Sequence, residues 1–246
     1  MTPDMFEGLL TARRSIRAYL PDPVGRACVA DILRQARTAP SGANLQPGRF
    51  HALTGDALAG LASVLEDAVA SGRPQVSEYG YFPKPLSLEL RERQCAAGYA
   101  LYRALGICRR DVAARKAQFV RNFRFFDAPV GIIVTIDRRM GSGCFMDLGM
   151  SIQSLLLAVS AKGLGACAIG AIAKYADVIH DKLDLDAGEL VVCGIALGYA
   201  EHGHPANTVE TERDPLTQFT SFTGFDNSSG DLAAVHGRPA FPTQGE

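Results

Sequence analysis

Two uninterrupted apolar segments constrain the fold of this chain more than any other feature of its sequence. They are residues 130–136, Val-Gly-Ile-Ile-Val-Thr-Ile, and residues 190–197, and neither alternates between apolar and polar positions. Strands with this pattern are buried on both faces of a sheet. Between them, apolar residues recur at helical spacing over 145–162. The sequence therefore predicts central strands with helices packed against them.

Weaker patterns predict the other elements. The chain has 246 residues, and 47% of them are apolar, which is enough for one continuous core. We expect a single domain over residues 1–225, followed by a polar tail, 226–246, that is rich in helix breakers. Gly163 and Gly165 are expected to end the 145–162 helix. Periodicity further predicts a strand over 50–54 and helices over 5–12, 24–38, 56–70, 88–105 and 111–125.

Charge and cysteine usage narrow the functional classes. The formal net charge is -1 with no basic block, which argues against nucleic acid or a membrane surface as a partner and favours small molecules. The N-terminus lacks the pattern of a secretory signal. Six scattered cysteines without a CxxC pair favour a reducing, cytoplasmic setting. His202 and His204 lack a third ligand at a recognisable spacing, so we expect no metal.

A cluster of arginines is the first candidate binding feature. Arg13, Arg14 and Arg17 precede Pro21 and Pro23, which fix the chain direction, and a polar turn follows over 39–47. The guanidinium fork pairs bidentately with phosphate, so this pattern suits a phosphorylated cofactor. The alternative is a surface helix end, where cations complement the helix dipole.

Two further segments have possible roles at a ligand. Residues 71–87 are rich in turns and aromatic side chains, and are either a wall of the substrate site or an ordinary surface loop. Residues 163–170 contain three glycines but follow a helix, which excludes a Rossmann phosphate loop. Gly170 lets a backbone N–H approach a planar ligand closely.

Six segments together resemble the FMN-dependent nitroreductase family, and its nitrobenzoate-reductase-like branch in particular. They cover nearly the whole chain in the family's order: RRSIRAYLPDPV from Arg13, APSGANLQP from Ala39, RNFRFFDAPVGIIV from Arg121, DLGMSIQSLLLAVSAKGLGA from Asp147, and VVCGIALGYAE with TERDPL after it. The resemblance implies an α+β fold with a central, mostly antiparallel sheet flanked by helices. It also implies an intertwined homodimer with FMN sites at the subunit interface.

The resemblance also implies a role for each matching residue. Arg13, Arg14, Ser15 and Arg17 would hold the FMN phosphate and part of the ring edge, with Arg213 joining at the phosphate. The 40–44 turn would come from the partner subunit, Asn122 and Arg124 would reach the pyrimidine edge, and residues 168–170 would lie along the ring face. The implied cofactor-binding set is Arg13, Arg14, Ser15, Arg17, Pro40, Ser41, Gly42, Asn44, Asn122, Arg124, Gln153, Ala168, Ile169, Gly170 and Arg213.

The implied activity is a ping-pong transfer of hydride from NADH or NADPH through FMN to a nitroaromatic or quinone-type acceptor. No side chain is then an obligatory catalyst, because the chemistry takes place on the flavin. Tyr81, Phe82 and Phe123 are the expected substrate-binding residues. Many relatives have Trp where this chain has Gly48, so we expect one wall near the ligand to be more open or differently filled. The alternatives are a flavin-dependent dehydrogenase or ene-reductase on the same scaffold, and a flavin-binding module without turnover.

Overall fold

The structure is a computed structural model that describes residues 2–225. It divides into two compact units, one ending at Thr211 and the other beginning at Glu212. The tail predicted over 226–246 lies outside the described residues. The first unit carries every element discussed below except one short helix, Leu216–Phe219, in the second.

A four-stranded antiparallel sheet forms the centre of the first unit. The strands are β1 (Arg49–Thr54), β2 (Val130–Asp137), β3 (Gly165–Ile169) and β4 (Glu189–Gly198), in the spatial order β1-β2-β4-β3. The two predicted apolar segments are therefore the two central strands. Strand β4 extends past the end of β3, because Ile169 pairs with Gly194 while β4 begins five residues earlier, at Glu189.

Helices cover both faces of this sheet, as the apolar strands require. On one face α2 (Arg26–Ala36) and α6 (Ser142–Ala161) bury Ile32 and Leu155 against Ile132 of β2. On the other face α3 (Gly55–Ala70) and α7 (Ala176–Leu183) bury their apolar residues against Ile133. Within residues 2–225 the remaining helices are α1 (Pro3–Ala12), α4 (Leu88–Ala104), α5 (Val112–Val120) and α8 (Leu216–Phe219), with 3₁₀ turns at Gly42–Asn44, Phe125–Asp127, Gly170–Lys174 and Pro205–Asn207.

The α+β architecture is confirmed, with three local corrections. The helix predicted over 111–125 ends at Val120, and a turn with left-handed residues at Phe125, Phe126 and Asp127 leads into β2. Gly165 does not end α6, because it opens strand β3. Strand β3 and α7 were not predicted: β3 is only five residues long, and glycines and alanines give it little periodic signal.

Much of the apolar surface of helix α6 is left uncovered by the other residues that the structure describes. It is long and apolar enough to cross a bilayer by length and composition, but residues such as Leu148 and Leu155 pack into the core. Only 28% of its most apolar window is buried, and Met146 and Met150 are exposed. Helix α6 is therefore a core helix with an apolar face open to a further partner.

Candidate functional site

The arginine segment lies along the edge of β3. Ser15 forms a parallel bridge with Ala166, and the Ile16 N–H donates to the Ala166 carbonyl at 3.0 Å. A Cβ at Gly165 would lie 2.7 Å from Cγ1 of Ile16, so only glycine allows this approach. The sheet edge thus fixes the backbone that carries Arg13, Arg14 and Arg17.

Asn207 holds the same segment through hydrogen bonds to residues 17 and 18, and it was not among the residues predicted from the sequence. Its Oδ1 accepts from the N–H groups of Arg17 at 2.7 Å and Ala18 at 3.2 Å. Its Nδ2 donates to the carbonyls of Ala18 and Glu201, each at 2.9 Å. A buried asparagine in a short turn belongs to no periodic sequence pattern, and its role is visible only from its hydrogen-bond partners in the structure.

The guanidinium groups form a half-buried cationic site. Arg14 pairs with Glu210 at 2.6 Å, whereas among residues 2–211 no carboxylate forms an ion pair with Arg13 or Arg17. Burial raises the pKa of the Cys167 thiol, and the charges of Arg17 and Arg13 together with a hydrogen bond from Ser15 only partly offset it. The backbone bridge between Ser15 and Ala166 holds this segment at the edge of β3. Half-buried cations without a carboxylate partner favour an anionic ligand.

The polar turn over 39–48 is held in a strained conformation. Ala43, Asn44 and Gln46 have positive φ values, which cost free energy in residues other than glycine. The Arg37 guanidinium donates to the carbonyls of Gln46, Pro47 and Gly48 at 2.7, 3.1 and 2.7 Å. These bonds fix the base of the turn.

Two side-chain contacts fix the tip of the same turn. The Ser41 hydroxyl accepts from the Gln46 N–H at 2.9 Å, and the Asp147 carboxylate on α6 accepts from the Gly42 N–H at 3.0 Å. Pro40, Gly42 and Asn44 are exposed. The turn is thus a rigid, exposed element attached to α6, whose apolar face is also exposed.

The end of β3 presents backbone and an aromatic wall. Ala168 is exposed, Ile169 is buried, and Gly170 begins the 3₁₀ turn that leaves the sheet. A Cβ at Gly170 would lie 2.9 Å from the Tyr81 ring, which contacts Phe82 edge-on with centroids 4.7 Å apart. Tyr81 and Phe82 are exposed, so both are available to line a ligand site next to Gly170.

The structure contradicts the expected substrate role of Phe123. Its side chain is fully buried and packs edge-on against Phe119 and Tyr175, with ring centroids 5.5 and 5.3 Å apart. Phe123 is therefore a core residue. The sequence pattern predicted a helix over 111–125 and gave no sign of the irregular turn after α5, in which Phe123 lies.

Asn122 and Arg124 have partners of their own. The Asn122 amide donates to the Phe119 carbonyl at 2.7 Å. Arg124 pairs with Asp127 at 2.6 Å and lies 3.8 Å from Glu66, beside a surface cavity of about 460 Å³ along α3. Their contact with a flavin stays a prediction, and Arg124 would have to exchange or share its carboxylate partners to make it.

Three other positions were singled out from the sequence. Gln153 is exposed on α6. Arg213 belongs to the unit that begins at Glu212, and its guanidinium donates to the Glu212 carbonyl at 2.9 Å. Gly48 has φ +92°, and a Cβ there would lie 2.4 Å from Leu148 Cδ1, so position 48 faces the core and does not open a ligand wall.

Comparisons with known proteins agree with this geometry. The sequence profile of the nitroreductase family matches residues 10–199. The chain is 36% identical to 4-nitrobenzoate reductase of Pseudomonas putida, over 91% of this chain and 97% of the relative. It is also 36% identical to chloronitrobenzene nitroreductase of Comamonas testosteroni, over 90% of this chain and 98% of the relative.

Solved structures of nitroreductases are also similar to this chain. The FMN- and NADPH-dependent nitroreductase NfnB from Sphingopyxis sp. strain HMH superposes with a TM-score of 0.87 at 34% identity, covering 89% of this chain and 99% of that one. The FMN-dependent NfnB from Mycobacterium smegmatis, solved in complex with NADPH, gives 0.85 at 29% identity, covering 89% and 98%.

Proposed function

The chain belongs to the nitroreductase family, and we propose that it is an FMN-dependent oxidoreductase that uses NAD(P)H to reduce nitroaromatic or quinone-type acceptors. The observation that carries this proposal is the pair of half-buried guanidinium groups, Arg13 and Arg17, which have no carboxylate partner among residues 2–211 and whose backbone segment is fixed at the edge of β3. Both the family and the charge arrangement point to a phosphorylated cofactor.

The residues at this edge of the sheet fit FMN. Arg13, Arg14 and Arg17 would hold the phosphate and part of the ring edge, and the backbone at the end of β3, where Ala168 is exposed and Gly170 has no side chain, would lie along a planar ring. Bound here, FMN would supply the two-electron redox chemistry between NAD(P)H and the acceptor. No acid or base from the chain is required, because water can supply the protons.

The chain's own residues bind and orient the reactants. Arg17 or Arg124 would place positive charge beside the ring, and Tyr81 with Phe82 would form a wall against which a planar acceptor stacks. This wall also limits the access of water to the ring face. We propose that Arg213 joins the phosphate site and that Asn122, Arg124 and Gln153 contact the cofactor as the family resemblance implies.

We further propose a homodimer in which each subunit completes the other's cofactor site. The exposed apolar face of α6, with Met146 and Met150, needs a cover, and a second α6 supplies one. Asp147 lies between these two methionines and holds Gly42. Dimerisation through α6 would therefore project the strained Pro40–Asn44 turn toward the partner's site.

We propose that the protein works in the cytoplasm. All six cysteines are unpaired thiols, and Cys95 and Cys108 are exposed. Exposed thiols persist in a reducing compartment.

The decisive experiment is the visible spectrum of the purified protein before and after anaerobic NADPH or NADH. We expect a yellow protein that the nucleotide bleaches and that a nitroaromatic carboxylate reoxidises, with the reduced nitrogen product detected by chromatography. Nucleotide oxidation without nitro reduction would favour the dehydrogenase or ene-reductase alternative. A yellow protein that neither nucleotide bleaches would favour the binding module.

Arg13→Ala tests the phosphate site directly. The loss of a charge-assisted bond of about 2 kcal/mol should weaken FMN binding roughly thirtyfold. Arg26→Ala removes an exposed arginine at the start of α2 and serves as the matched control. Fluorescence titration of the FMN-free protein measures both. Equal affinity in the two variants would exclude Arg13 from the site.

A further inference from the structure

The loop between α3 and α4 is fastened to the sheet at the point where β3 ends. The first residues of β4, from Glu189 to the residue before Gly194, have no β3 residue beside them. Their backbone groups on that side need other hydrogen-bond partners. The Glu78 Oε2 accepts from the Val191 N–H at 2.7 Å. The Tyr79 hydroxyl donates to the Val192 carbonyl at 2.7 Å. Two side chains of the loop thus bind this part of β4 in the place where β3 would otherwise pair with it.

Glu78 is held by charge as well as by this bond. Its side chain is only 11% exposed, and its Oε1 pairs with the guanidinium of Arg138, just after β2. The Nε2 of His180 on α7 lies 3.4 Å from the same oxygen without forming a hydrogen bond. The carboxylate therefore connects the loop to β4 and to the end of β2.

The backbone of the loop is anchored on one side of Glu78 only. Val76 bridges to Tyr175, with its N–H donating to the Lys174 carbonyl at 2.8 Å. On the other side of Glu78 the chain leads to Tyr81, whose exposed ring rests on Gly170. The Tyr79 ring packs on Phe145 with centroids 5.6 Å apart, and burial raises the Tyr79 pKa well above its usual value, so its hydroxyl remains a donor.

We propose that Glu78 is a positioning residue for the reaction: by taking the place of a strand partner beside Val191, it fixes the Tyr81 ring over Gly170 and so sets the fit of the acceptor. This inference rests on the proposed function for its consequence in catalysis, but the placement of the loop can be measured without it. Glu78 touches no reactant. Its effect passes entirely through Tyr81.

The first test measures the loop itself. Hydrogen exchange followed by mass spectrometry is compared in the FMN-loaded and FMN-free protein, for the wild type, Glu78→Gln, Glu78→Ala and Glu89→Gln. Glu89 is the matched control, because it is an exposed glutamate of the neighbouring helix that pairs with Arg93 within α4. We expect residues 76–82 and Val191 to exchange about tenfold faster in Glu78→Ala, with β1 and Glu89→Gln unchanged.

The second test uses kinetics in a double-mutant cycle with Tyr81→Ala. In the wild-type background, Glu78→Ala should lower kcat/KM for a nitroaromatic acceptor by about tenfold. In the Tyr81→Ala background, the same substitution should lower it by less than about twofold. Glu78→Gln keeps an oxygen acceptor for the Val191 N–H and should restore part of the activity.

The outcomes separate this inference from the proposed function. Unchanged exchange over 76–82 in Glu78→Ala, or equal kinetic losses with and without Tyr81, would overturn the positioning role. A wild-type protein that reduces no acceptor would refute the proposed function, and the exchange experiment would still decide the role of Glu78. If Glu78→Ala fails to fold, which fast exchange throughout β1 would reveal, Glu78→Gln carries both tests.

Discussion

Asn207→Ala gives the sharpest test of how the arginine segment is held. The asparagine amide makes four hydrogen bonds that join residues 17–18 to residues near the end of β4. Truncation leaves the N–H groups of Arg17 and Ala18 without their acceptor, and each unsatisfied buried group costs about 1–3 kcal/mol. Ala18 is buried, whereas Arg17 is half-exposed and can recruit water. We therefore expect a loss of about 3 kcal/mol in the free energy of unfolding.

Two assays separate stability from binding in this variant. In FMN-free protein the midpoint of thermal unfolding should fall by roughly 6–12 °C, since about 1 kcal/mol shifts a domain of this size by ~2–4 °C. Because Arg17 loses its anchor, FMN affinity should also fall, by roughly tenfold.

Two matched variants complete the test. Asn207→Asp keeps the oxygen that accepts from the N–H groups of Arg17 and Ala18, but sets a carboxylate oxygen against the carbonyls of Ala18 and Glu201; it should therefore lose stability while keeping more FMN affinity than alanine. Thr208→Val removes only an exposed hydroxyl bonded to Pro205 and should leave both quantities unchanged. An Asn207→Ala protein with wild-type stability and wild-type FMN affinity would refute the reasoning.

Three further perturbations test other parts of the structure. Gly48→Ala should lower the free energy of unfolding by about 2–4 kcal/mol in urea titrations, because alanine is strained at φ +92° and its Cβ collides with Leu148; a wild-type midpoint would contradict this. Burial alone would raise the Glu189 pKa, but hydrogen bonds from Thr135 and His51 with the charge of Arg49 lower it overall. The stability that Glu189 contributes is then fully present above the carboxyl's ordinary pKa and is lost as the pH falls through the lowered pKa. The free energies of unfolding of wild type and Glu189→Gln should therefore differ by about 1–3 kcal/mol at pH 7 and converge in acid. A difference that does not change with pH would contradict this. Met150→Asp should shift the molecular mass measured by light scattering from dimer to monomer and release FMN at the same time, whereas a monomeric protein that keeps its flavin would refute the shared site.

Some features of this protein follow from local sequence alone. The apolar runs at 130–136 and 190–197 are typical of strands whose two faces are both buried, and they form β2 and β4. Helix α6 follows from its periodicity, and the arginine cluster is recognisable because three guanidinium groups within five residues have few local uses. These signals depend on residues that are close together along the chain.

The tertiary structure decided what local patterns do not encode. Strand β3 exists because Gly165 lets Ile16 approach and because β4 offers it an edge, neither of which is visible in five small residues. Phe123 lies in the core and Tyr81 on the surface, although both are aromatic residues in irregular segments. Asn207 and Glu78 act through partners more than 100 residues away. The sequence therefore determined which groups are available, and long-range packing determined which of them meet.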